Sequence, residues 1–254
     1  MDNQQGHIPL LYRQEAIMQN ETIACLNEVS AAYMQQYRRY KNLYPVDDAR
    51  PWTFQKIAQI LAYYRLSLCY SFGIMSRTDN LGVILEPGKL VQVSPERATS
   101  IIREYEQYLT FSFFHVVFSS FESSMRSIVA VVPVHNSEGR PCRKTDKFSD
   151  VFFGLINGNK LDPVYLDLFE LLLMVRNCIH NRSIYFSDKG SRRLVYKGRS
   201  YDFVQGRPIE FATIGFLFEL LLDLNEFFVA LYESEALTMH SHIRDHVLYS
   251  REVE

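Results

Sequence analysis

Residues 162–181 read DPVYLDLFELLLMVRNCIHN. Asp162-Pro163 is a helix opening, with an acid at the cap and a proline in the first turn, and apolar residues then recur at helical spacing through Ile179. With Asp167 taken as zero, Glu170, Asn177 and Asn181 project within about 80° of it and form a solvated face. Arg176 and His180 project to about 180° and 220°, among Tyr165, Phe169, Leu172 and Leu173. Two cationisable groups therefore stand where the pattern calls for core, and such groups need an ionic partner, water or a second chain. The structural reading gives Arg176 a carboxylate such as Glu122 on a neighbouring helix and sets His180 against the helix C-terminal dipole.

The same spacing argument extends in both directions. Gln14 to Tyr44 reads as a first helix that Pro45 stops, and Pro51 opens a second that fades near Gly73 to Thr78. Asp79 to Val93, with Gly82, Pro87 and Gly88, reads as a connection. Ser94-Pro95-Glu96 caps a long helix running to about Val131. Beyond Tyr108 that helix is apolar nearly all round, except for a stripe of His115, Ser119, Glu122 and Arg126, so it belongs in the middle of a bundle. A polar loop over residues 135–147 precedes a short helix ended by Asn157-Gly158. After His180, two β-prone pieces, Ser183 to Phe186 and Leu194 to Phe203, flank Asp188-Lys189-Gly190, and Pro208 opens a last long helix to about Tyr232. The expected fold class is all-α: a helical bundle with one small β-hairpin after the Arg176 helix and additional N-terminal helices. The expected division is an N-terminal helical region, residues 1–92, and a helical domain, residues 93–254.

With 254 residues, 47% of them hydrophobic, the chain can bury a sizeable core. Lys and Arg total 27 against 29 Asp and Glu, so no global positive field gathers polyanions, and nucleic-acid contact has to come from local clusters. The first residues lack a basic region followed by an apolar stretch, and the run Gln107 to Phe121 is too short and too polar to span a bilayer. Cys25, Cys69, Cys142 and Cys178 form no CxxC pair. These features set the expectation of a cytoplasmic chain with no membrane contact.

Val175-Arg176-Asn177-Cys178-Ile179-His180-Asn181 resembles the Arg-polar-…-His-Asn motif of the HEPN superfamily, the higher eukaryotes and prokaryotes nucleotide-binding domains. Phe121-Glu122-Ser123-Ser124-Met125-Arg126 is similar to a Phe-Glu-…-Arg pattern of the same bundles. The likeness covers about Ser94 to Tyr232. The usual motif places four to six residues between Arg and His, whereas this chain has three. The resemblance implies a homodimer whose two motifs face each other and which cuts RNA without a metal, as a toxin or defence effector open to a regulatory protein partner. In that reading His180 is the general acid or base, Arg176 holds the scissile phosphate, Asn177 orients them, and Glu122 and Arg126 support the site. The alternative is a noncatalytic HEPN-like module for dimerisation or for nucleotide or RNA binding.

Lys189, Arg192, Arg193, Lys197 and Arg199 form a basic ribbon directly after the motif, and Arg192, Arg193 and Lys197 are candidate RNA contacts. The competing reading is a charged, protective strand edge. His240, His242 and His246 lack a completing ligand set, and no phosphate-loop, dinucleotide or nucleophile-elbow motif occurs, so neither a metal nor a cofactor is expected.

Overall fold

Ser94 Oγ accepts the Arg97 backbone N–H at 3.3 Å, and Pro95 fills the first turn, so the central helix α3 (Pro95–Val129) starts where its cap residues dictate. In this computed structural model, which describes residues 10–75 and 94–245, α3 is preceded by α1 (Leu10–Tyr40) and α2 (Ala49–Met75). It is followed by α4 (Phe148–Gly158), α5 (Val164–His180), β1 (Arg192–Tyr196), β2 (Arg199–Phe203), α6 (Ile214–Tyr232) and α7 (Glu235–Thr238). The mostly helical fold with one antiparallel hairpin matches the expected class. The connection expected over residues 79–93, and the boundary near residue 92, lie outside the described residues. The helices on either side share one hydrophobic core.

The central position of α3 follows from its apolar girth. Phe113 stacks on Tyr64 of α2 with centroids 4.3 Å apart, Phe118 meets Phe148 of α4, and Phe121 stacks on Phe228 of α6 at 5.2 Å. Each such ring adds about 1.5–3 kcal/mol by leaving water. Buried hydroxyls are matched as they must be: Tyr33 donates to the Leu221 carbonyl at 2.8 Å, and Thr53 pairs with Tyr232 at 2.6 Å.

A second anchor joins residues far apart in sequence. Arg50, wholly buried, donates to both oxygens of buried Asp48 at 2.9 and 2.7 Å and to the carbonyls of Leu237 and His240 at 3.2 and 3.0 Å. The Arg50 guanidinium also lies over the Tyr44 ring at 3.3 Å, and Asp48 accepts the Ile243 N–H at 2.8 Å. The segment after α7 is thereby tied to the α1–α2 corner.

Two sequence expectations shift. Lys197 and Gly198, both with positive φ (46° and 76°), make the two-residue hairpin turn, so Leu194 to Phe203 is two strands rather than one. The last long helix begins at its Thr213 cap, which accepts the Phe216 N–H at 3.2 Å, while Pro208 instead bridges to Ile184. No described helix is long and apolar enough to cross a membrane.

Candidate functional site

The buried stripe of α5 runs through Leu168, Leu171, Leu172, Val175 and Cys178. It centres about 90° from Asp167 rather than opposite it, which puts Arg176 and His180 on its flank instead of in the core. Arg176 is half-buried and His180 exposed, a correction to the expectation that both occupy core positions. That flank turns toward α3, so the helix carrying Arg176 does pack against the helix carrying Glu122.

There the Arg176 guanidinium lies 4.8 Å from the centre of the buried Phe118 ring, a cation–π contact that holds the side chain across the α3–α5 seam. Arg176 Nε is buried without a hydrogen-bond partner, and among the described residues no carboxylate pairs with this arginine. The His180 imidazole stands edge to face with the exposed His115 imidazole of α3, centroids 5.1 Å apart and planes at 83°. Partial desolvation, then the Arg176 charge, then His115 hold His180 below the usual histidine pKa, which favours its neutral, proton-accepting form. Neighbouring Cys178 is buried, and its thiol is pushed up to about 11, so it stays protonated and is no nucleophile at neutral pH.

The supporting residues fall elsewhere. Glu122 does not pair with Arg176. It accepts from Nε and a terminal nitrogen of Arg126, one helical turn along α3, at 3.0 and 2.6 Å. Arg126 in turn donates to the carbonyls of Lys144 and Asp146, the latter at 2.9 Å, fastening the loop before α4. The Asn177 side chain is exposed, and among the described residues it bonds neither Arg176 nor His180.

Four of the five ribbon cations are occupied. Arg192 pairs with Glu170 at 2.5 Å and Arg193 with Asp202 at 2.6 Å. Lys197 pairs with Asp223 at 2.5 Å, and Arg199 with Glu219 at 2.7 Å. Tyr196 also donates to Asp223 at 2.9 Å, so Tyr196, Lys197 and Arg199 staple the hairpin to α6, while Arg192 ties it to α5 and Arg193 links its two strands. Of the terminal histidines, His246 lies outside the described residues and His242 faces Asp47 at 3.1 Å.

An open groove of about 360 Å³ lies between α3 and the residues after α5, lined among others by Arg103, Gln107, Phe111 and Ser183, with Phe111 one helical turn from His115. A larger depression of about 750 Å³ over residues 136–150 contains none of Arg176, His180 and His115, and its lining has no comparable grouping of imidazole and guanidinium. No family model, curated protein or solved structure matches the chain.

His115 is the site residue that sequence reasoning passed over. Its signal was the polar stripe interrupting an otherwise apolar helix, but only the packing of α5 on α3 shows which member of that stripe meets His180.

Proposed function

We propose that Arg176, His180 and His115 form a phosphodiester site, and that the chain is a HEPN-like endoribonuclease that cuts RNA without a metal and works as a homodimer. One observation carries the reading: two imidazoles in contact beside a guanidinium that no described carboxylate neutralises. A carboxylate-free arginine attracts a phosphate, to which its planar fork is matched. His180, kept neutral, accepts the proton of the ribose 2′-hydroxyl as that oxygen bonds to phosphorus. The bond from phosphorus to the 5′-oxygen breaks, and protonated His115 delivers the proton this oxygen needs. The products are a 2′,3′-cyclic phosphate and a free 5′-hydroxyl.

The test is cleavage of single-stranded and structured RNA by purified protein in EDTA. Proton transfer of this kind contributes on the order of 10² to 10⁴ in rate, so His180→Ala and Arg176→Ala each remove nearly all cutting while circular dichroism stays unchanged. Intact RNA with the native protein, or cutting that survives His180→Ala, overturns the assignment.

The three-residue spacing between Arg176 and His180 favours a second reading, a noncatalytic HEPN-like module that binds nucleotide or RNA through the same groups. Saturable binding of RNA with no cleavage under any condition selects it.

A further inference from the structure

On α3, Arg103, Gln107, Phe111 and His115 follow one another at four-residue intervals and so share one side of the helix. His115 belongs to the phosphodiester site, and the other three line the groove beside it. Ser183, three residues beyond His180, closes the groove from the opposite side. Phe111 is half-buried, which leaves part of its ring available, while Gln107 and Arg103 are exposed. Pro208, Ile209, Ala212 and Ile214 complete the wall facing α3, so much of the lining is apolar. A bare phosphate chain suits such a surface poorly. A flat aromatic face bordered by an amide and a hydroxyl suits a nucleobase, whose ring stacks and whose edge both donates and accepts.

Resting on the ribonuclease reading above, we infer that this groove is a nucleobase subsite for the nucleotide adjoining the scissile phosphate. One helical turn, about 6 Å of rise, separates Phe111 from His115, a distance that a single nucleotide covers. The base stacks on Phe111, Gln107 meets its polar edge, and Arg103, which pairs with no carboxylate among the described residues, reaches the next phosphate along the strand. The ligand class is therefore single-stranded RNA whose unpaired base stacks at this position.

The experiment is calorimetric titration of the full chain with inorganic phosphate, ribose 5-phosphate, cytidine 3′-monophosphate and uridine 3′-monophosphate. Cytidine and uridine 3′-monophosphates should each bind about tenfold or more tightly than ribose 5-phosphate, the order of a single stacked base. Phe111→Leu keeps the apolar volume and loses the flat face, and Gln107→Ala changes an exposed side chain. Both should shrink the nucleotide advantage while leaving inorganic phosphate binding unchanged. Arg176→Ala should weaken every ligand. Equal affinity for the nucleotides and ribose 5-phosphate, or an advantage untouched by both groove variants, overturns the subsite and leaves the phosphodiester site standing. Absence of binding by all four ligands overturns both.

Discussion

The imidazoles of His115 and His180 meet edge to face at 5.1 Å across the seam between two helices, and Arg176 lies over Phe118 one turn along the same seam. An acid and a base for phosphodiester cleavage act on opposite sides of one phosphorus, so in the proposed mechanism the two rings, carried on separate helices, part to admit the phosphate. His115→Ala should therefore cost RNA cleavage on the order of 10²-fold or more. His115→Gln, which retains a polar side chain of similar reach, should not rescue it. Initial rates on a fluorescent RNA settle this, and wild-type rates in His115→Ala would remove His115 from the mechanism.

His180 is displaced downward from the ordinary histidine range by partial burial, by Arg176 and by His115. Its ring resonances should move at a midpoint below about 6.5, the ordinary value. Arg176→Ala should raise that midpoint, and saturating inorganic phosphate should also raise it, by placing negative charge beside the ring. A histidine whose folded pKa is depressed adds stability above its unfolded value and forfeits it as the pH falls through the folded one. Thermal stability should accordingly decline below about pH 6.5 more in wild type than in His180→Gln. A midpoint at or above the ordinary value rejects the proposed electrostatics.

The hairpin cations already hold carboxylates, so they gain little by moving to RNA. Replacing Arg192, Arg193 and Lys197 together with alanine should change RNA affinity less than Arg176→Ala does alone. The salt dependence of binding should keep most of its slope, since few phosphate contacts are lost. Filter binding at several salt concentrations measures both quantities, and a slope reduced by the triple variant would return the hairpin to the binding surface.

The wholly buried pair of Arg50 and Asp48 predicts a large and asymmetric stability effect. Arg50→Ala leaves Asp48 charged and buried, and should lower unfolding stability by about 3 to 5 kcal/mol. Arg39→Ala, which breaks a half-exposed pair with Glu233, should lower it by less than about 1 kcal/mol. Urea unfolding of the two variants compares them directly.

Assembly is tested by light scattering at tens of micromolar, where a mass of twice the chain is expected. A monomer that still cleaves RNA would end the dimer proposal and leave the single-chain site standing.

Local chemistry was readable wherever one segment determines its own shape. The Ser94-Pro95 cap, the Asn157-Gly158 stop and the α5 helix are of this kind. Periodicity sets Arg176 and His180 among core positions because it locates a polar face but not the centre of the buried one. Here the buried stripe is turned toward Leu168 and Val175. The sequence pattern offers Glu122 to Arg176 across the helices, yet Arg126 lies one turn away on the same helix and costs less chain ordering to engage. The ribbon looked free because the acids that occupy it, Glu170, Glu219 and Asp223, belong to helices before and after it. The Asp48–Arg50 anchor left no sequence signal, since its partners at Leu237, His240 and Ile243 are backbone groups.

That anchor also sets an order of events during synthesis. The α1–α2 corner emerges from the ribosome early, but the carbonyls and the N–H that complete the Asp48–Arg50 pair are made 187 to 195 residues later. At translation speeds of about 5–20 residues per second, that interval is roughly 10 to 40 s. Throughout it the nascent corner holds an arginine and an aspartate that cannot be sealed from water, so the first two helices wait, loosely folded and open to chaperones, for the tail of their own chain.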